Sequence, residues 1–287
     1  MEKVDILNAV FLCIVNILFM VAGIILNSVV IVSLWRSRQL RKQLCYFMIL
    51  VLSCFDLAVV AINHPFLITS TICYFFEDIN EMREGARVTV SLILCGLSIS
   101  GLFMLNAERF LAITCPYFYQ RSISKTKLIR FQVFTTILIV GVSSLANVNT
   151  QTVIAVNIIV AICLSFLLLL FIVSNYKIFT IAKSKRIDEL AVPSFATSLH
   201  RKTRIISLKS VSTSSLAVGC FFLCSCPHIM YSVLRFTSGA PPYDRKVLLF
   251  NIWSNTFVSI NSTLNCLIFF WRNSILRREG LKMLALL

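Results

Sequence analysis

A chain of 287 residues would ordinarily fold as one or two water-soluble domains, but this one is 58% hydrophobic and only 14% charged, against about 45–50% and about 25% in ordinary globular proteins. With a mean hydropathy of +0.86, its apolar residues outnumber what a core of this size could hide, so lipid must be part of its solvent. The formal charge of +15 does not point to nucleic acid, because the basic residues sit in short clusters between apolar runs; the 11 cysteines, odd in number and mostly inside those runs, do not describe a secreted disulfide scaffold.

A helix needs about 20 mostly apolar residues to cross a bilayer, and seven runs qualify. In chain order they cover about 6–35, 44–73, 85–115, 128–146, 153–181, 208–236 and 247–271. Lipid offers an open backbone no hydrogen-bond partners, so each run must be helical. The first is too long for the apolar core of a signal peptide and no small-residue cleavage site follows it, so it reads as a retained signal anchor. The second outer connection, 147–151, is barely a turn. The third inner stretch, 183–207, is polar, basic and broken by Pro193, and mobility is expected there. Beyond Trp271, Ile275, Leu276, Met283 and Leu284 alternate with Arg277, Arg278 and Lys282, the pattern of an amphipathic helix over about 273–285 lying on the membrane. The expected fold is an all-α membrane protein: one domain over 1–287, with seven transmembrane helices and a short amphipathic eighth.

Orientation follows from the basic residues. With the N-terminus outside, 21 Lys and Arg residues fall on the inner side and six outside (Lys3, Arg83, Arg87, Arg235, Arg245 and Lys246). The net charge is therefore a topology signal, with anionic inner-leaflet lipid as its partner. The expected location is the plasma membrane, as a multi-pass protein.

Ionisable groups inside spans are expensive and mark function by default. Asp56 alone among the carboxylates lies deep within a run, and the other helices offer it Asn27, Ser98, Asn261, Ser262 and Asn265. Interhelical hydrogen bonds would explain the amides and hydroxyls; a lone buried carboxylate wants a cation or a proton. At the inner end of the third run stands Glu108-Arg109. An isolated arginine there would be an interfacial anchor reaching lipid phosphate. His64 and His228 each stand alone beside a proline, where packing is the simplest role, and the cysteines show no metal-ligand spacing.

These fragments together resemble the rhodopsin-like (class A) G-protein-coupled receptors over essentially the whole chain. The first span carries GIILNSVVIV with Gly23 and Asn27; the second begins LRKQLCYFMILVLSCFDLAV and places Asp56. The third ends ERFLAITCPY, similar to the family's D/E-R-Y/F motif. The fifth contains SNYKIFTIAK with Tyr176, the sixth Phe221 and Cys224-Ser225-Cys226-Pro227, and the seventh NSTLNCLIFFWRNSILR. The resemblance implies a receptor, not an enzyme, that binds an extracellular ligand and activates a heterotrimeric G protein. It implies that Glu108, Arg109, Tyr176 and Phe269 form the coupling switch. It also implies that Asn27, Asp56, Ser98, Asn261, Ser262 and Asn265 hold an allosteric sodium ion, with no other cofactor.

The departures from the family pattern are specific. Ser225 replaces the sixth-span tryptophan, and Cys266 and Phe269 replace the seventh-span proline and tyrosine. Leu168 stands at the fifth-span proline, and Glu84 where the third-span disulfide cysteine would be. Several of these, with the minimal second outer loop, are shared with melanocortin receptors, part of a cluster with cannabinoid, lysophospholipid and adenosine receptors. The acids Glu77, Asp78, Glu81 and Glu84 near the mouth read most simply as a solvated loop; the melanocortin likeness implies instead that Glu84, aided by Glu81, attracts a basic group of a ligand such as a peptide. Deeper in, Ser91, Cys95, His228, Ile229, Asn255 and Ser259 would line a mixed pocket open to a peptide, lipid or other small molecule. Ser259 at the retinal-lysine position excludes an opsin. Ser91 stands where an amine receptor has its acid. A divergent seven-helix receptor that does not signal stays open, and so does a small transporter, though repeats, interrupted helices and several midplane charges are missing.

Overall fold

The computed structural model describes residues 3–76, 78, 80–145, 155–156, 158–160, 162–163, 165–166, 168–174, 176–177, 180–181, 198–238 and 244–284. Two readings from the sequence, the turn at 147–151 and most of the stretch at 183–207, fall outside the described residues, as does Glu77.

All secondary structure among the described residues is helical. The first span is α1 (Lys3–Arg36), at 34 residues and about 1.5 Å rise per residue longer than a bilayer core is thick. Ser37 ends it and caps a short α2 (Arg38–Lys42), its hydroxyl accepting from the Leu40 amide at 3.4 Å. The second span is three pieces in one rod: α3 (Leu44–Ala58), a π-helical turn (Val59–Asn63) and α4 (His64–Phe75). The cause lies in Pro65, which has no N–H and crowds the preceding turn; a widened turn accommodates both. The third span, α5 (Glu81–Thr114), starts at the cap Asn80, whose side chain accepts from the Arg83 amide at 3.1 Å. Pro116 then opens α6 (Pro116–Ser122), and the fourth span is α7 (Lys125–Leu145).

The described residues between 155 and 181 are helical, at the place of the fifth span. The sixth lies in α8 (Ser198–Ser238), which starts within the inner stretch where mobility was expected, five residues beyond Pro193. The seventh is α9 (Arg245–Arg272), capped by the Asp244 carboxylate, which accepts from the Lys246 and Val247 amides at 3.1 and 3.2 Å. It runs unbroken through Cys266, the position of the family's kinking proline. Asn273 separates it from α10 (Ser274–Leu284), whose buried Leu276 docks under the bundle while Arg277 and Arg278 face outward.

Five helices among the described residues, in the first, second, third, fourth and sixth spans, are long and apolar enough to cross a membrane. Their outer faces expose Leu7, Phe11, Leu18, Phe134, Ile137 and Leu223, which only lipid can cover. Inside, Leu34, Met48, Leu52, Leu102, Phe171, Phe221 and Phe269 form the larger core. A smaller cluster at the other end joins Leu12, Leu67, Tyr74, Leu248 and Ile252. Between these apolar clusters lies a polar layer.

Candidate functional site

That layer centres on Asp56, buried one turn before the π-helical segment. Ser98 of the third span donates to its Oδ1, and Asn265 Nδ2 of the seventh donates to its Oδ2 at 3.3 Å, although no kink brings that helix inward. Ser262 Oγ lies 3.5 Å from Ser98 Oγ. Asn27 Nδ2 donates back to the Gly23 carbonyl at 2.9 Å. Its Oδ1, with Oδ1 of Asn261 and of Asn265, is buried without a hydrogen-bond partner among the described residues. A carboxylate held by Ser98 and Asn265, with buried and unpartnered amide oxygens on the first and seventh spans, offers the oxygens that a hard cation seeks. The residues fit a sodium ion.

One layer outward lies a second network that the sequence did not reveal. The π-helical turn leaves both Asn63 and His64 facing the interior. Asn63 Nδ2 donates to Ser259 Oγ at 2.6 Å and Ser91 donates to Asn63 Oδ1, so the second, third and seventh spans meet on one amide. His64 Nδ1 and Asn16 Oδ1 are 2.7 Å apart, and Asn16 Nδ2 donates to Thr256 Oγ1 at 3.1 Å. Only Pro65 hinted at this turn, since a proline in a span forces a local rearrangement of backbone bonds.

Further out, the structure departs from the acidic mouth expected at Glu84. Its carboxylate is buried and already paired: Arg87 Nε donates to Oε2 at 2.7 Å and Ser70 Oγ to Oε1 at 2.6 Å. Arg87 Nη2 also donates to Asn251 Oδ1 at 3.1 Å, and Asn255 Nδ2 shares that oxygen at 2.6 Å. The missed signal was spacing. Glu84 and Arg87 stand three apart, on one face of a helix.

At the inner end of the third span Arg109 Nε lies 3.4 Å from Glu108 Oε2, and Tyr119 of α6 donates to Glu108 Oε1 at 2.6 Å. Burial first, and then the neighbouring carboxylate, push the Tyr119 hydroxyl well above its ordinary pKa, so it stays a donor. Phe269 is buried in the inner core. Tyr176, by contrast, is 71% exposed on the outside of the bundle and joins neither residue. Of the four residues expected in the switch, the structure joins Glu108 and Arg109, adds Tyr119 to them and leaves Tyr176 exposed.

A cavity of about 390 Å³ lies beside the polar layers. Four residues expected in the ligand pocket line it: Ser91, Cys95, His228 and Asn255. Glu84, Ser259 and half-buried Ile229 do not; Ser259 is engaged by Asn63 and Glu84 by Arg87. The remaining walls come from the third, fourth, fifth and seventh spans, including Ile99, Phe103, Phe131, Leu138, Ile159 and Val258.

An all-helical membrane bundle with a polar midplane and a Glu-Arg pair at one end of its third helix is the architecture of a seven-helix receptor. Residues 26–269 match the family "7 transmembrane receptor (rhodopsin family)", and the chain belongs to that family. The match runs from beside Asn27 to Phe269 and so spans the Asp56 cluster and the Glu108-Arg109 pair. No individual curated protein matches the chain.

Proposed function

We propose that the protein is a plasma-membrane receptor, N-terminus outside, that binds an extracellular ligand and activates a heterotrimeric G protein at its inner face. The observation carrying this reading is the Arg109–Glu108 contact of 3.4 Å at the end of the third span, with the arginine side chain one-fifth exposed. A guanidinium so placed exchanges an acid for a partner's backbone carbonyls when neighbouring helices part. Asp56 and its oxygens would hold a sodium ion that favours the resting arrangement, since a ligand of one state shifts the population toward it. Asp56, Ser98 and Asn265 would contact the ion; Asn27, Asn261 and Ser262 would complete its surroundings. The inner basic clusters would contact anionic lipid.

The test is guanine-nucleotide exchange on a panel of G proteins by the full chain in vesicles, with and without Arg109→Ala. Exchange that the substitution removes at unchanged surface expression supports the reading; undiminished exchange makes Arg109 a lipid anchor. One observation favours a second reading, a receptor that does not signal: Tyr176 faces outward while Ser225 stands in place of the sixth-span tryptophan. Exchange that no G protein shows would select it.

A further inference from the structure

Three features of the 390 Å³ cavity bear on what fills it. Its lining contains no Asp, Glu, Lys or Arg among the described residues, so it offers no counter-charge to an ionic ligand, and a charge placed there would be strongly penalised. Several wall residues, Phe131, Leu138, Val142 and Ile159, are at the same time exposed on the outer surface of the fourth and fifth spans, the surface that lipid covers. The side toward the outer end of the third span is stitched together instead. Asn255, itself a lining residue, shares the Asn251 oxygen with Arg87, which is bound to Glu84, which is bound to Ser70.

Polar groups are few but placed. His228 is buried and reaches the cavity from the sixth span, and its Nδ1 has no hydrogen-bond partner among the described residues. A buried imidazole nitrogen left unmatched carries a desolvation cost that a ligand's hydroxyl or carbonyl would remove. Asn255 and Ser91 border the same cavity.

The geometry points to an uncharged lipophile with a single hydrogen-bonding head, entering sideways from the bilayer between the fourth and fifth spans and anchored by His228. This rests on the receptor reading for its consequence but not for its binding. A volume of this order matches small-molecule sites in general, which run about 300–1,000 Å³. Among the described residues the lining offers a basic peptide no acid to pair with.

The probe is a long-chain alcohol bearing a diazirine in its chain, compared with the fatty acid of the same length, on the full chain in lipid nanodiscs. Photolabelling is mapped by mass spectrometry. The alcohol is expected to label the segments 131–143 and 159–163, in competition with unlabelled alcohol and at least fivefold more than the acid. Cys163→Trp, which fills the wall, and His228→Phe, which keeps the ring and removes the nitrogens, should each lower that labelling at least fivefold. Ile159→Trp serves as the second wall variant if Cys163→Trp does not fold by its melting profile. Labelling that survives every folded variant, or that the acid equals, is bulk lipid contact and overturns the proposal. Labelling that behaves as expected without any nucleotide exchange leaves the site standing and removes the signalling reading. Arg109-dependent exchange without such labelling does the reverse.

Discussion

Arg87 and Glu84 sit one helical turn apart on the third span, joined at 2.7 Å, their side chains 1% and 3% exposed. Salt bridges at protein surfaces contribute little, but a buried one is dangerous to break, because the partner left behind is an uncompensated charge in a poor solvent. The pair is also the hub of a network: Ser70 donates to one carboxylate oxygen and Asn251 accepts from one guanidinium nitrogen, tying three spans together at one end of the bundle, while Arg87 Nη1 has no hydrogen-bond partner among the described residues.

Arg87→Ala should therefore cost about 3–5 kcal/mol of stability, the range for removing one partner of a buried pair. The double change Glu84→Gln with Arg87→Met should recover much of that loss, since no unpaired charge remains. Melting of the purified chain in detergent checks both. A double variant no more stable than Arg87→Ala would mean that the pair is not acting as a buried ion pair. Because the charges are shielded from solvent, added salt should change the wild-type melting temperature little through this contact.

At the opposite end, the 2.6 Å hydrogen bond from Tyr119 to Glu108 holds the acid beside Arg109. Hydrogen bonds to charged groups contribute about 1.5–3 kcal/mol. On the receptor reading this bond helps to hold the resting arrangement, so Tyr119→Phe should raise basal nucleotide exchange by about tenfold or more, ~1.4 kcal/mol being a factor of ten. Basal exchange that falls or stays level would make the hydroxyl incidental to coupling.

How much of this was legible in the sequence depended on whether the signal was local. Span positions, the Glu108-Arg109 pair and the candidates around Asp56 follow from hydropathy, charge and motif, all readable along the chain. The π-helical turn at Val59–Asn63 is a backbone adjustment without a residue code of its own, and it makes Asn63 a meeting point of three spans. The pairing of Glu84 is hidden in the sequence because an exposed acid and a paired one look alike until the helix face is drawn, when Arg87 falls beside it. Tyr176 had a motif-like setting, yet its outward direction is set by how the fifth span is rotated, which amphipathicity cannot fix in a helix apolar on every side.

The sodium site proposed at Asp56 can be tested apart from coupling. Replacing choline chloride with sodium chloride at constant ionic strength should raise the melting temperature of the wild type. A concentration ten times the dissociation constant corresponds to about 1.4 kcal/mol of stabilisation. Asp56→Asn should abolish the difference and Ser98→Ala reduce it. Equal sodium-dependent shifts in wild type and Asp56→Asn would refute the site.

At Gly23 the first span closely approaches the second and seventh. A Cβ at Gly23 would lie 2.5 Å from Thr263 Oγ1 and 2.6 Å from Val60 Cγ1, while one at Gly141 or Gly219 would meet nothing within 4 Å. Alanine is the better helix former by about 1 kcal/mol at any of the three. At Gly23 that gain is opposed by overpacking, which costs about 1–3 kcal/mol in a filled interior. Relief is difficult there: Val60 is locked in the π-helical turn, and Thr263 donates to the Phe19 carbonyl at 3.1 Å. Gly23→Ala should therefore lower the melting temperature, and Gly141→Ala and Gly219→Ala should hold or raise it. The opposite signs matter more than the sizes, because propensity alone would move all three upward. Gly23→Ala should also loosen Asn27, whose Nδ2 is anchored on the Gly23 carbonyl at 2.9 Å, and so weaken the sodium-dependent shift. A Gly23→Ala variant as stable as the Gly219→Ala control would show that the first span does not pack this closely against the second and seventh.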